Sequence, residues 1–201
     1  MARLHNKYTL FQSLQMGLWL FRTKLICKKA RIFRFPLALF GKNYIDFGER
    51  LTLGRNCRLE AYSLDGTQDK RLIFGNDVQL NDNVHIDAMK RVEVGNNVLM
   101  ASHIFISDNS HGGYKEGSAC NPNVPPMERE YSICPVKIED NVWIGEGAFI
   151  TMGVTIGKGC IIGAHSFVNK NIPPYCIAVG NPARVIKRFD FAKGQWQKVE
   201  G

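Results

Sequence analysis

The chain has no run of about 18 uncharged apolar residues, the least a membrane-spanning helix needs. An apolar stretch near the start is broken by arginine and lysine and leads to no small-residue cleavage site, so a secretory signal is not expected. The six cysteines, Cys27, Cys57, Cys120, Cys134, Cys160 and Cys176, form no CxxC pair and no zinc-ligand spacing. Reduced thiols in a cytoplasmic protein are the expectation, with no metal required. There is no Walker A loop, no GxGxxG opening a helix and no GxSxG elbow. Nucleotide-binding α/β folds and an acyl-serine mechanism therefore lose their usual support. Lys and Arg total 26 against 18 Asp and Glu, a net charge of +8, which points to an anionic partner. No recognised nucleic-acid motif or aromatic-interleaved basic platform accompanies that charge, so nucleic acid is not the expected partner. Hydrophobic residues make up 45% of the 201, which is ordinary for a folded chain and makes disorder not the expectation, and the length fits one domain or one domain plus a short appendage.

What is present is a period of six. From Val136 the sequence reads V-K-IEDNVW-IGEGAF-ITMGVT-IGKGCI-IGAHSF-VNKNIP. Ile138, Ile144, Ile150, Ile156, Ile162 and Val168 recur every sixth residue. Four residues after each stands a second apolar or small side chain: Val142, Ala148, Val154, Cys160, Ser166, Ile172. The rhythm appears earlier at Val94, Met100 and Ile106, at Phe74, Leu80 and Ile86, and at Phe47, Leu53 and Leu59. Phase slips at 61–71, 87–92 and 107–136 read as insertions, the last one long. Helices repeat at 3.6 and plain strands at 2. A period of six fits a short strand followed by a sharp turn, which glycine and asparagine permit. Such units bury their apolar side only by stacking.

Three stretches, FISDNSHGG, VWIGEGAFITMGVTIGKGCIIGAHS and IPPYCIAVGNPARVIK, resemble hexapeptide-repeat acetyltransferases of the maltose, galactoside and O-antigen or capsule polysaccharide type. That resemblance implies an all-β fold, a left-handed parallel β-helix of about five coils, which nothing in the period itself reveals. The β-helix is expected over 45–188, with the insertion 107–136 as a long active-site loop. Residues 1–44 lack the hexad and mix Leu, Phe and Trp with Lys and Arg. They read as a helical segment ending at Pro36. It either caps the open first coil or lies as a basic amphipathic segment on a membrane surface. Residues 189–201 read as a short capping or loose end.

Acetyl transfer to a hydroxyl needs a base, and histidine suits that role near neutral pH. Among His5, His85, His103, His111 and His165, the resemblance places the general base at His111, in SDNSHGG. Asp108 or Asn109 would orient its imidazole, with loop-turn chemistry as the plain alternative for both. Trp143, read as an outward corner residue, and Asn81 would wall the acceptor site. Backbone around Gly145, Glu146 and Ala164 would line a pantetheine slot, and Lys170, Arg184 and Lys187 would meet the phosphates or adenine of acetyl-CoA. Glu146 and Asn169 depart from the residues common in the family. A homotrimer with sites between subunits, a glycan acceptor and a cytoplasmic location, with peripheral membrane contact, are further implications. Because the same base serves both nucleophiles, N-acylation of an amino sugar stays open. A γ-class carbonic anhydrase and a non-catalytic trimeric scaffold are weaker readings.

Overall fold

The computed structural model describes residues 8–114 and 119–199; His5 and the first seven residues of the appendage lie outside them. The chain builds three parallel sheets. The first holds Ile32–Phe33, Thr52–Leu53, Gln79–Leu80, Leu99–Met100, Trp143–Ile144, Ile161–Ile162 and Cys176–Val179. The second holds Leu37–Phe40, Cys57–Ala61, His85–Ala88, Phe105–Ser107, Phe149–Ile150 and Phe167–Val168. The third holds Ile45–Asp46, Leu72–Phe74, Val92–Val94, Val136–Ile138 and Thr155–Ile156. The chain visits first, second and third sheet in rotation and then rises one level.

The six-residue period is what keeps the levels in register. Met100 lies between Leu80 and Ile144, Ile106 between Ile86 and Ile150, and Ile138 between Val94 and Ile156. Both apolar positions of every unit from Ile138 to Ile172 are at most 4% exposed, so the interior is one continuous core. Ser166 is the polar member of that series, and its hydroxyl accepts from Gly180 N at 3.2 Å. Where the first sheet turns into the second, Asn83, His103, Gly147 and His165 occupy successive levels with φ of 61°, 60°, 66° and 55°. A Cβ on Gly147 would stand 2.5 Å from His165 Nδ1, so the His165 ring lies over the bare backbone of Gly147. His103 and His165 are thus corner residues, doing what asparagine and glycine do at other levels.

Two boundaries differ from the sequence expectation. Strands begin at Ile32 rather than 45, because Phe33, Leu39 and Ile45 already keep the six-residue step and pair with Leu53, Leu59 and Leu72. Their apolar neighbours Phe35, Leu37 and Phe40 hide that period in the sequence. The helix, Leu10–Ile26, opens on a capping box in which Thr9 Oγ1 accepts from Gln12 N and Gln12 Oε1 accepts from Thr9 N. It ends ten residues before Pro36, where Cys27 turns extended at φ −148° and ψ 108°. Pro36 instead joins the first two strands. The helix buries Trp19 and Thr23, and Thr23 Oγ1 accepts from Phe33 N at 2.8 Å, so this face sits on the first strand. At the far end Arg184–Asp190 and Gln195–Lys198 fold back antiparallel onto the first sheet. Phe189 packs on Trp196 with centroids 5.2 Å apart. Among the described residues no helix is long and apolar enough to cross a membrane.

Candidate active site

The long insertion leaves the second sheet after Phe105–Ser107 as a hairpin, Asn109–His111 against Tyr131–Ile133, with His111 opposite Tyr131. Asp108 is the residue that fixes where it leaves. Its carboxylate, fully buried, accepts from Met89 N, Lys90 N and Arg91 N at 2.8, 2.7 and 2.6 Å. Its carbonyl accepts from Cys134 N at 2.8 Å where the hairpin returns. Asp108 therefore pins both feet of the insertion to the 88–91 turn; its carboxylate is spent on backbone amides rather than on an imidazole. Asn109 donates to Asp87 Oδ2 at 3.0 Å.

His111 is half-buried, its ring 4.8 Å from Tyr131. Its carbonyl accepts from the Tyr114 hydroxyl at 2.5 Å. Its Nδ1 is buried without a hydrogen-bond partner among the described residues. The ring borders a cleft of about 660 Å³ with Asp87, Ser107, Phe105, Phe149 and Phe167. The three phenylalanines are stacked at successive levels, centroids 4.7 and 5.6 Å apart. Asp87 Oδ1 is likewise buried, with no hydrogen-bond partner among the described residues. Burial pushes the Asp87 carboxyl above its ordinary range, the Asn109 hydrogen bond pulls it down, and the Glu60 and Asp108 charges push it up. One level below, burial raises Glu60, but hydrogen bonds from Arg58 and Tyr62 and the contact with His85 outweigh it and hold the group at about 2. His85 Nε2 lies 2.7 Å from Glu60 Oε2.

The other sequence-derived candidates do not share this cleft. Asn81, Gly145, Glu146 and Ala164 line the corner where the first sheet passes into the second, at the opposite edge of the second sheet from Asp108. Gly145 N donates to Ile162 O, and a Cβ on it would come within 2.7 Å of Ala164 N. Asn81 accepts from Gln79 Nε2 at 3.1 Å. Glu146 accepts from Ser102 N at 2.9 Å. Trp143 lies on a strand of the first sheet, not at a corner, and is half exposed. Lys170 is exposed. Arg184 and Lys187 belong to the returning strand, opposite Val179 and Ile177, on either side of a register shift. Among the described residues no three of His, Cys, Asp and Glu converge as a metal site needs.

Sequence reasoning missed Asp87 and the phenylalanine ladder. The signal was there: Phe105, Phe149 and Phe167 each precede an inward aliphatic at the second-sheet hexad.

Residues 135–170 match the family model "Bacterial transferase hexapeptide (six repeats)". The chain is 35% identical over 178 residues to the putative lipopolysaccharide biosynthesis O-acetyl transferase WbbJ of Escherichia coli K12, covering 88% of each chain. It is 37% identical over 141 residues to galactoside O-acetyltransferase of the same organism, covering 69% of this chain and 64% of that one. It spans 44%, 53% and 58% of the length of three other acetyltransferase relatives, from Mycobacterium tuberculosis, Schizosaccharomyces pombe and Saccharomyces cerevisiae. In structure it is similar to AntD, an N-acyltransferase from Bacillus cereus solved with dTDP and 3-hydroxybutyryl-CoA. The TM-score is 0.67 at 17% identity over 83% of this chain and 87% of that one. A hexapeptide-repeat acetyltransferase of Vibrio cholerae complexed with acetyl coenzyme A gives 0.52 at 21% identity over 85% and 78%. A six-residue period that sets every level of the core, and a relative matched along most of both chains, lead to one conclusion: this chain belongs to the hexapeptide-repeat acetyltransferases.

Proposed function

We propose that the chain is an acetyl-CoA-dependent O-acetyltransferase that modifies a hydroxyl of a bacterial surface polysaccharide or of its lipid-linked precursor, with His111 as general base in a direct transfer. The observation that carries this is the cleft beside His111. It joins a wall of stacked aromatic rings to a polar edge of Asp87, Ser107 and the imidazole. A sugar presents the same division: an apolar C–H face that stacks on aromatic rings, and hydroxyls that need polar partners. In the transfer, the imidazole takes the hydroxyl proton as the oxygen attacks the thioester carbonyl carbon. The C–S bond then breaks, and the imidazolium returns the proton to the leaving thiolate. Positioning of donor and acceptor together supplies much of the remaining acceleration.

The donor slot lies along the corner of Gly145, Glu146 and Ala164, with Lys170, Arg184 and Lys187 towards the phosphates. The Vibrio cholerae protein of similar fold supports acetyl-CoA as the donor, since it is complexed with that molecule. Because this corner and His111 stand at opposite edges of the second sheet, the two halves meet only if a neighbouring copy supplies one of them. A homotrimer with Asn81 and Trp143 of one copy facing His111 of another meets that need. Asn109 acts on the site through Asp87. The five strands of the third sheet support about five coils of a left-handed β-helix.

The names of the relatives favour oxygen over nitrogen as the nucleophile. The direct test incubates the protein with acetyl-CoA and a panel of surface glycans, their lipid-linked precursors and amino sugars, and locates the new acetyl group by NMR. An O-acetyl on a glycan is the expected product. An N-acetyl on an amino sugar, with no ester formed, would replace this reading.

A further inference from the structure

The helix Leu10–Ile26 has two apolar faces, and the fold uses one. Trp19 and Thr23 are buried against the first strand. Leu10, Phe11, Leu14, Leu18, Phe21 and Leu25 are between 55% and 79% exposed. At 3.6 residues per turn these six fall within an arc of about 100°, on the side away from Trp19. They form one stripe about 25 Å long, far more than the scattered single hydrophobics of an ordinary surface.

Charge decides what covers it. Residues 1–45 hold nine Lys and Arg and not one Asp or Glu; the remaining 156 residues hold 17 basic and 18 acidic side chains. The whole net positive charge of the protein therefore belongs to the segment that carries the stripe. Arg22 and Lys24 flank the stripe on its two sides. Lys29 and Arg31 are paired with Glu49 and Asp77, whereas Arg22, Lys28 and Arg34 have no carboxylate partner among the described residues. Arg22 lies instead over the Phe35 ring, 3.9 Å from its centroid. A second copy of this helix would bring like charges together. A surface that is apolar beneath and anionic above satisfies both features.

We propose that the helix lies in the plane of an anionic lipid membrane, with the Leu10-to-Leu25 stripe in the acyl boundary and the flanking basic groups among the headgroups. This holds the solenoid by one end at the membrane surface. It goes beyond the acetyl-transfer reading and does not depend on it.

The test is co-sedimentation of the full chain with vesicles of phosphatidylcholine plus phosphatidylglycerol, and with phosphatidylcholine alone, at low and raised salt. The protein is expected on the anionic vesicles, far less on the neutral ones, and less again as salt rises. Leu14→Glu with Phe21→Glu should abolish binding while leaving the melting temperature unchanged, since neither residue packs on the fold. Arg22→Gln and Lys28→Gln, which leave the stripe intact, should each weaken binding about fivefold. These two arms stand even if the stripe variant fails to fold. Absence from anionic vesicles would overturn the proposal, as would binding that none of these substitutions alters. So would a stripe variant that lowers the oligomeric mass in sedimentation velocity while vesicle binding persists. That last outcome would make the stripe a protein–protein interface.

Discussion

Glu60 and Asp87 stand one level apart on the same outward face and titrate in opposite directions. Glu60 receives Arg58 Nε at 2.6 Å, Arg58 Nη2 at 2.8 Å and the Tyr62 hydroxyl at 2.6 Å. Its folded value of about 2 lies below the ordinary 4.5. The stability it contributes is fully present above pH 4.5 and is lost as pH falls towards 2. Arg58 is half exposed, so solvent takes part of that gain. Glu60→Gln should cost on the order of 2 kcal/mol near neutral pH and flatten the stability curve in that acid window, read by urea unfolding across pH. Asp87 is raised by burial, so the folded protein holds its proton longer than the unfolded chain. Its effect on stability worsens as pH rises from 3.8 through the raised value. Asp87→Asn keeps an acceptor for Asn109 and removes that cost. The variant should unfold at higher denaturant than the parent at pH 7 and match it at low pH. A lower midpoint at pH 7 would show that the ionised carboxylate is needed.

At the scale of elements, the hairpin that carries His111 is held at its feet by Asp108. Three amide donors converge on one buried carboxylate at Asp108. Asp108→Ala leaves those amides unpaired and should destabilise the protein by about 3 kcal/mol. Activity should fall with it, because the imidazole moves with the hairpin. Unchanged stability in that variant would mean the 88–91 turn finds other acceptors. This is also where the sequence stopped being informative. The inward series from Ile138 to Ile172 could be read residue by residue, because one period governs both the spacing and the burial. Asp108 could be singled out, but its partners could not. They are backbone amides 17 to 19 residues away, and no side-chain pattern records a backbone partner. The first level was hidden for a different reason. Phe33, Leu39 and Ile45 keep the step, but in a segment so rich in apolar residues that the period has no contrast. The site was legible only in pieces, since the sequence carries no sign that Asn81 and Gly145 stand at one edge of the second sheet and Asp108 at the other.

In the whole molecule, each level touches only the levels above and below, so stability is a sum of local interfaces. Ile144 is fully buried between Met100 and Ile162. Ile144→Ala should cost about 2–5 kcal/mol, detectable as a lower denaturation midpoint. Hydrogen exchange should increase most at that level and its neighbours, with protection at the far levels less affected. A stack of this kind presents a rigid face, and the account rests on what stands at the edge of that face. The most direct measurement is the turnover of His111→Ala, taken together with its affinity for acetyl-CoA by calorimetry. The account predicts kcat lower by about 10²–10⁴-fold with the acetyl-CoA Kd unchanged. Near-parental turnover, or loss of coenzyme binding along with activity, would contradict it.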